Sequence, residues 1–134
     1  MKIKNEWSVA MSIRYVYCAG PLTPKGTHST NQAIDYLYSV REMVTVAVKL
    51  LRAGYTPFCP AVDFLYFMVG GPEERIKEIE IKRYSKDWLD KCDCIVLCKG
   101  WKTSEGTLKE VERADELGIP VFPSLRAFLE RSDE

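Results

Sequence analysis

The chain has no surplus of either charge: 19 lysines and arginines stand against 19 aspartates and glutamates in 134 residues. A balance of this kind removes the electrostatic footprint that nucleic acid or an anionic membrane demands, so the expected partner is a small molecule. Long apolar runs are also missing, which excludes a membrane-spanning helix. The first residues, Met1-Lys2-Ile3-Lys4-Asn5-Glu6-Trp7, lack the apolar core of a signal peptide, and a cytoplasmic protein is expected. Histidine is reduced to His28 alone, and the five cysteines (Cys18, Cys59, Cys92, Cys94, Cys98) form no CxxC pair. They read as reduced core thiols rather than metal ligands, and no metal or cofactor is expected. Neither GxxxxGK[ST] nor GxGxxG occurs, so both the P-loop and the dinucleotide fingerprint are excluded.

What is present is one domain's worth of core, with 46% hydrophobic residues. Residues 1–12 read as a loose extension and 13–134 as a single domain. Ile13 to Ala19 alternates and is rich in β-formers, then breaks at Gly20-Pro21. A helical period runs from Gln32 to Ala53 and stops at Gly54. A second strand spans Tyr55 to Cys59, a short helix is possible over Phe64 to Met68, and a charged helix is predicted from about Glu73 to Lys91. Ile95 to Leu97 is the short apolar run of a strand covered on both faces. A helix from Ser104 to Gly118, a strand from Ile119 to Phe122 and a terminal helix from Ser124 to Arg131 follow. Strands alternating with helices and no hairpin signals predict an α/β protein with a parallel sheet wrapped by helices.

The segment from Cys94 to Val111 carries the chemistry. It reads as strand, polar turn and helix, and the carboxyl end of such a strand is where open α/β sheets bind ligands. Ser104 is a good N-cap, and Gly106 leaves the free amides of the first turn open to an anion such as phosphate. At about 100° per residue, Glu110 falls inside the apolar arc of Thr107, Leu108, Val111, Ala114 and Leu117. It is either an arc-edge acid that reaches water or an arginine, or a carboxyl raised in pKa and held against a ligand. Arg41 likewise sits within the apolar arc of the first helix, between the directions of Ile34 and Leu37, either snorkelling or paired with an acid, or holding a phosphate or orienting Glu110. Asp63, just past the second strand, either reaches a bound sugar or caps the short helix. Asp87 reads as a surface ion-pair partner. The loop from Pro21 to Asn31, with Thr23, Lys25 and His28, is long enough to fold over a ligand.

Tyr17-Cys18-Ala19-Gly20-Pro21-Leu22-Thr23, Gly54-Tyr55-Thr56-Pro57-Phe58, Trp88-Leu89 with Cys92-Asp93, and Ser104-x-Gly106-x-x-x-Glu110 together resemble the nucleoside 2-deoxyribosyltransferase superfamily. Within it they are most similar to the 2'-deoxynucleoside 5'-monophosphate N-glycosidases and to a branch with a Trp-x-x-Ser-x-Gly signature. The resemblance covers nearly all of Ile13 to Phe122. It implies a flavodoxin-like doubly wound sheet of four to five strands and a homodimer or homotetramer whose sites take a residue from a neighbour. It also implies catalysis by Glu110 as nucleophile, with Tyr17 as a second catalytic candidate from the first-strand part of the pocket. Gly20 and Pro21 then form the first-strand part of the pocket, and Arg41, Asp63, Ser85, Ser104, Gly106 and Thr107 are its other substrate-binding candidates. Separately, Gly106-Thr107-Leu108-Lys109-Glu110 is similar to the GTxxE of lysine-decarboxylase-like phosphoribohydrolases, which also cut a nucleotide's N-glycosidic bond.

Members that accept unphosphorylated nucleosides have an acid where this chain has Ser104, and an acid there would repel a 5'-phosphate. A serine hydroxyl beside free amides accommodates it. Two positions depart from the pattern: Ser85 stands where an aspartate is common, and Thr23 where a basic residue is common. The acid that assists the leaving base is therefore unassigned, and phosphate charge would come from Lys25 or Arg41. The expected activity is hydrolysis or transfer at the N-glycosidic bond of a (deoxy)ribonucleoside 5'-monophosphate. The alternative is a nucleotide or NAD-derivative sensor of the same fold that does not turn its ligand over.

Overall fold

The computed structural model describes residues 13–22 and 31–132. Residues 1–12 and the positions Thr23, Lys25 and His28 lie outside the described residues. Four strands, β1 (Tyr15–Ala19), β2 (Thr56–Phe58), β3 (Cys94–Leu97) and β4 (Val121–Phe122), form one sheet in the order β2-β1-β3-β4 with every pairing parallel. The helices are α1 (Gln32–Arg52), α2 (Glu78–Leu89), α3 (Glu105–Leu117) and α4 (Leu125–Leu129), joined by 3-10 turns at Pro60–Met68 and Trp101–Thr103. This is the expected flavodoxin-like α/β architecture.

The alternation of strand side chains sorts the core into two layers. Val16, Cys18, Cys94 and Val96 point to one face and are covered by Met43, Ala47 and Leu50 of α1 and Phe128 of α4. Tyr17, Ala19, Ile95 and Leu97 point to the other, under Leu89 of α2 and Ala114 of α3. Every residue of β3 is buried, as a central parallel strand requires. Truncating Ile95 to alanine should cost on the order of 2–5 kcal/mol. Register is pinned by Asp93, whose Oδ2 accepts the amides of Arg14 and Tyr15 at 2.8 Å each and so ties the start of β1 to the start of β3.

Helix ends follow their caps. Asn31 Oδ1 accepts from the amides of Ala33 and Ile34 and starts α1, and Gly54, at φ 97°, turns the chain into β2. The charged helix begins at Glu78, five residues later than the sequence predicts. The Glu80 carboxylate accepts the Lys77 amide at 2.9 Å and fixes the helix start there, leaving 73–77 as turn and extended chain. Asp87 pairs with Arg83 on the surface, as expected. No helix among the described residues is long and apolar enough to cross a membrane.

Candidate functional site

The connections out of β1 and β3 run to opposite sides of the sheet, and the crevice this opens at their carboxyl ends holds a cavity of about 670 Å³. One wall is Cys18 to Leu22 after β1, and another is Thr103 to Thr107 with Glu110 after β3. Asp35, Tyr38, Ser39 and Met43 of α1, Pro60, and Glu78 with Lys82 of α2 complete it. The two inner walls touch: a Cβ on Gly20 would stand 2.7 Å from Cys98 Cβ, so only glycine lets the loops meet. Cys98 N donates to Ala19 O at 2.7 Å across the same seam. Burial pushes the Cys98 thiol up to about 12 and raises Cys18 as well, so neither acts as a thiolate nucleophile at neutral pH.

Glu110 faces into the fold from the second turn of α3. Tyr17, fully buried on β1, donates its hydroxyl to Glu110 Oε2. Burial raises the Glu110 carboxyl to about 7 against the opposing pull of the Tyr17 hydrogen bond. Burial, and then the charge of Glu110, hold the phenol far above its ordinary range, so Tyr17 keeps its proton and serves as a permanent donor. Its ring is locked by a stack on Phe58, with centroids 5.4 Å apart at 27°. A carboxyl of this kind is half ionised near neutrality and is aimed by a rigid donor, the condition for a carboxylate nucleophile or an electrostatic stabiliser.

The start of α3 forms the other pole of the cavity. Ser104 caps it: Oγ accepts the Thr107 amide at 3.2 Å and the Thr107 hydroxyl at 2.9 Å, which leaves the serine's own proton to point outward. Thr107 is buried and makes this cap rigid. The amides of Glu105 and Gly106 precede the first intrahelical bond, Leu108 N to Ser104 O. A Cβ on Gly106 would meet nothing within 4 Å, so the cavity is open over these amides.

Other sequence candidates lie elsewhere. Asp63 is 7% exposed, and its Oδ2 accepts the Ser85 hydroxyl at 3.0 Å. It does not cap the 3-10 helix, whose N-cap is Cys59, because it sits three residues inside it. Burial raises its pKa and Ser85 opposes the rise. Asp63 and Ser85 are not among the residues that line the cavity. Arg41 is exposed and does not line the cavity. The buried line of α1 is Met43, Ala47 and Leu50, whereas Ile34 and Leu37, which defined the predicted arc around Arg41, are 46% and 55% exposed. The arginine therefore turns to solvent with them. Conversely, Asp35, Tyr38, Ser39, Glu78 and Lys82 line the cavity without having been singled out in the sequence. The i, i+3, i+4 spacing of Asp35, Tyr38 and Ser39 is the one signal that marks a shared polar face.

No curated protein matches the chain. Residues 14–123, from the start of β1 past the end of β4, match a family described as a domain of unknown function, DUF7768, and the chain belongs to that family.

Proposed function

We propose that the cavity binds a (deoxy)ribonucleoside 5'-monophosphate and that Glu110 drives cleavage of its N-glycosidic bond by hydrolysis or transfer. The observation that carries this reading is a carboxyl poised near neutrality and hydrogen-bonded by a buried tyrosine. It opens onto the same cavity as the free amides of a helix start. The phosphate lies over Ser104 and Gly106, where hydroxyl and amides donate to it, and the sugar lies above Glu110. As the bond from C1' to the base breaks, its electron pair leaves with the base and positive charge develops on the sugar. The Glu110 carboxylate stabilises that charge or bonds to C1', and water or an acceptor then takes the sugar phosphate from it.

A cytoplasmic, self-associating protein fits this reading. The five cysteines are free thiols. Leu65, Tyr66 and Met68 on the 3-10 helix and Val69 just after it, with Leu37 and Tyr38 on α1, expose large apolar side chains of the kind that a second copy would cover.

The test is incubation with a panel of nucleoside monophosphates and the matching nucleosides, followed by chromatography for free base. Monophosphates should release base far faster than nucleosides, and Ser104→Asp should remove most of that preference by setting an anion against the phosphate. Equal reaction of both ligand classes refutes the phosphate site. Tight binding with no base released makes the protein a sensor instead.

A further inference from the structure

A second cavity, of about 590 Å³, lies at the amino ends of β1 and β2, away from the one that holds Glu110. Tyr15 and Thr56, which open the two strands and pair in register, line it with Phe58. Trp88, Lys91 and Cys92 line it from the end of α2 and the turn that follows. Strand alternation sets Tyr15 on the same face as Tyr17, yet Tyr17 is fully buried while Tyr15 is 48% and Trp88 46% exposed. Because α2 ends at Leu89, this corner of the sheet is left half covered. Its size and its mostly aromatic and apolar walls, with few polar groups among them, are those of a small-molecule pocket.

Lys91 is the one charged side chain among the described residues that line this cavity. The acids on either side of it in sequence are committed elsewhere. Asp90 accepts from Arg113 with both carboxylate oxygens, at 2.9 Å each, and Asp93 accepts the amides of Arg14 and Tyr15. The ammonium is thus left to a ligand, beside the rings of Tyr15, Phe58 and Trp88. Rings of this kind take a planar aromatic group, and the cation takes an anion.

The cavity also has a route to Glu110. Phe58 stacks on Trp88 with centroids 5.6 Å apart at 19°, and on Tyr17 at 5.4 Å and 27°. Tyr17 in turn donates its hydroxyl to Glu110. Two members of this stack, Trp88 and Phe58, line the second cavity. An occupant packed on them restrains the third, because side chains at interior packing density do not move independently.

We propose that the second cavity is an effector site for a small aromatic carboxylate, which binds on Trp88, Phe58 and Lys91 and holds the Tyr17–Glu110 pair in place through the stack. This goes beyond the N-glycosidic reading and applies whatever reaction Glu110 performs.

The test is an NMR titration of the full chain with indoleacetate. Beside it stand tryptophol, which is neutral, tryptamine, a cation, and cyclohexylacetate, an anion with no aromatic ring. Shifts should saturate and cluster at Tyr15, Phe58, Trp88 and Lys91. Indoleacetate should bind at least roughly twofold more tightly than tryptophol, as an exposed ion pair allows, and roughly three- to tenfold more tightly than cyclohexylacetate. Lys91→Glu should turn the charge preference round, so that tryptamine binds best. With the site filled, the titration of the Glu110 carboxyl, assigned against Glu110→Gln, should move to lower pH, since the Tyr17 hydrogen bond lowers that group. Tyr17→Phe keeps the stacked ring and should bind the probe as tightly, with its Glu110 titration no longer responding. No saturable shift, shifts clustered at the first cavity instead, or a charge order that Lys91→Glu leaves unchanged overturns the site. Probe binding that weakens as protein concentration rises means that a second copy covers the cavity, and overturns it as well. A bound probe that leaves the wild-type Glu110 titration where it was overturns the effector role. None of these readouts uses base release, so each of these failures leaves the N-glycosidic reading standing.

Discussion

Two buried acids flank one side of the sheet, and the same physical forces act on both. Glu110 and Asp63 are each raised by burial, each is restrained by one hydroxyl donor, and each raises the pKa of Tyr17. They differ in access. Glu110 stands on a regular helix and opens onto the cavity, whereas Asp63 sits in a 3-10 turn, accepts from Ser85 and does not line the cavity. A perturbed carboxyl is therefore a site only where a ligand can reach it. Asp63 ties the 3-10 segment to α2 through Ser85, and Glu110 is the acid to which we assign the proposed reaction.

The largest expected effect separates the two in activity. Glu110→Gln keeps shape and should cost roughly a thousandfold or more in base release, as loss of a nucleophile or charge stabiliser does. Asp63→Asn, which keeps an acceptor for Ser85, should cost less than roughly tenfold, equivalent to about 1.4 kcal/mol. A rate assay on the two variants and the wild type would break the comparison if the order were reversed.

Stability gives the next contrast. A carboxyl whose folded pKa is raised stabilises the fold below its unfolded pKa and loses that contribution as pH rises through the folded value. For Glu110 the window runs from 4.5 to about 7, a difference of at most roughly 3 kcal/mol. Glu110→Gln should therefore melt higher than the wild type at pH 8 and lose that advantage at pH 4. Denaturation at the two values decides it.

Tyr17→Phe sharpens the account of the pair. It keeps the ring that stacks on Phe58 but removes the donor that lowers the Glu110 pKa. The acid limb of the rate profile should move upward by about one unit, the worth of a hydrogen bond to a charged group. The smallest effect concerns the other pole. Gly106→Ala meets no steric obstacle and should leave the fold as stable or up to ~1 kcal/mol more so. Its methyl projects into the cavity, however, and should weaken monophosphate binding in a titration.

The parts of this site legible in sequence are the local ones. Ser104, Gly106, Thr107 and Glu110 lie within two helical turns, so capping and periodicity were enough to set them together. The parallel order of the strands followed from alternation with helices. Arg41 was misplaced because the face a helix turns inward depends on what it packs against, and here the sheet took Met43, Ala47 and Leu50 rather than Ile34 and Leu37. Asp63 and Ser85 are separated by 22 residues, and Asp35, Glu78 and Glu105 line one cavity from three different helices, so no local pattern announces either group.

The measurement that bears most directly on Glu110 is the pH dependence of base release from a nucleoside monophosphate, wild type beside Glu110→Gln, between pH 5 and 9. The carboxyl must be ionised to act, so wild-type kcat/KM should be low in acid, rise with a midpoint near the Glu110 value of about 7 and level off above it. The variant should show neither the rise nor the rate. A wild-type profile flat through neutrality, or a variant that turns over as fast as the wild type, would contradict the assignment of Glu110 as the reactive group.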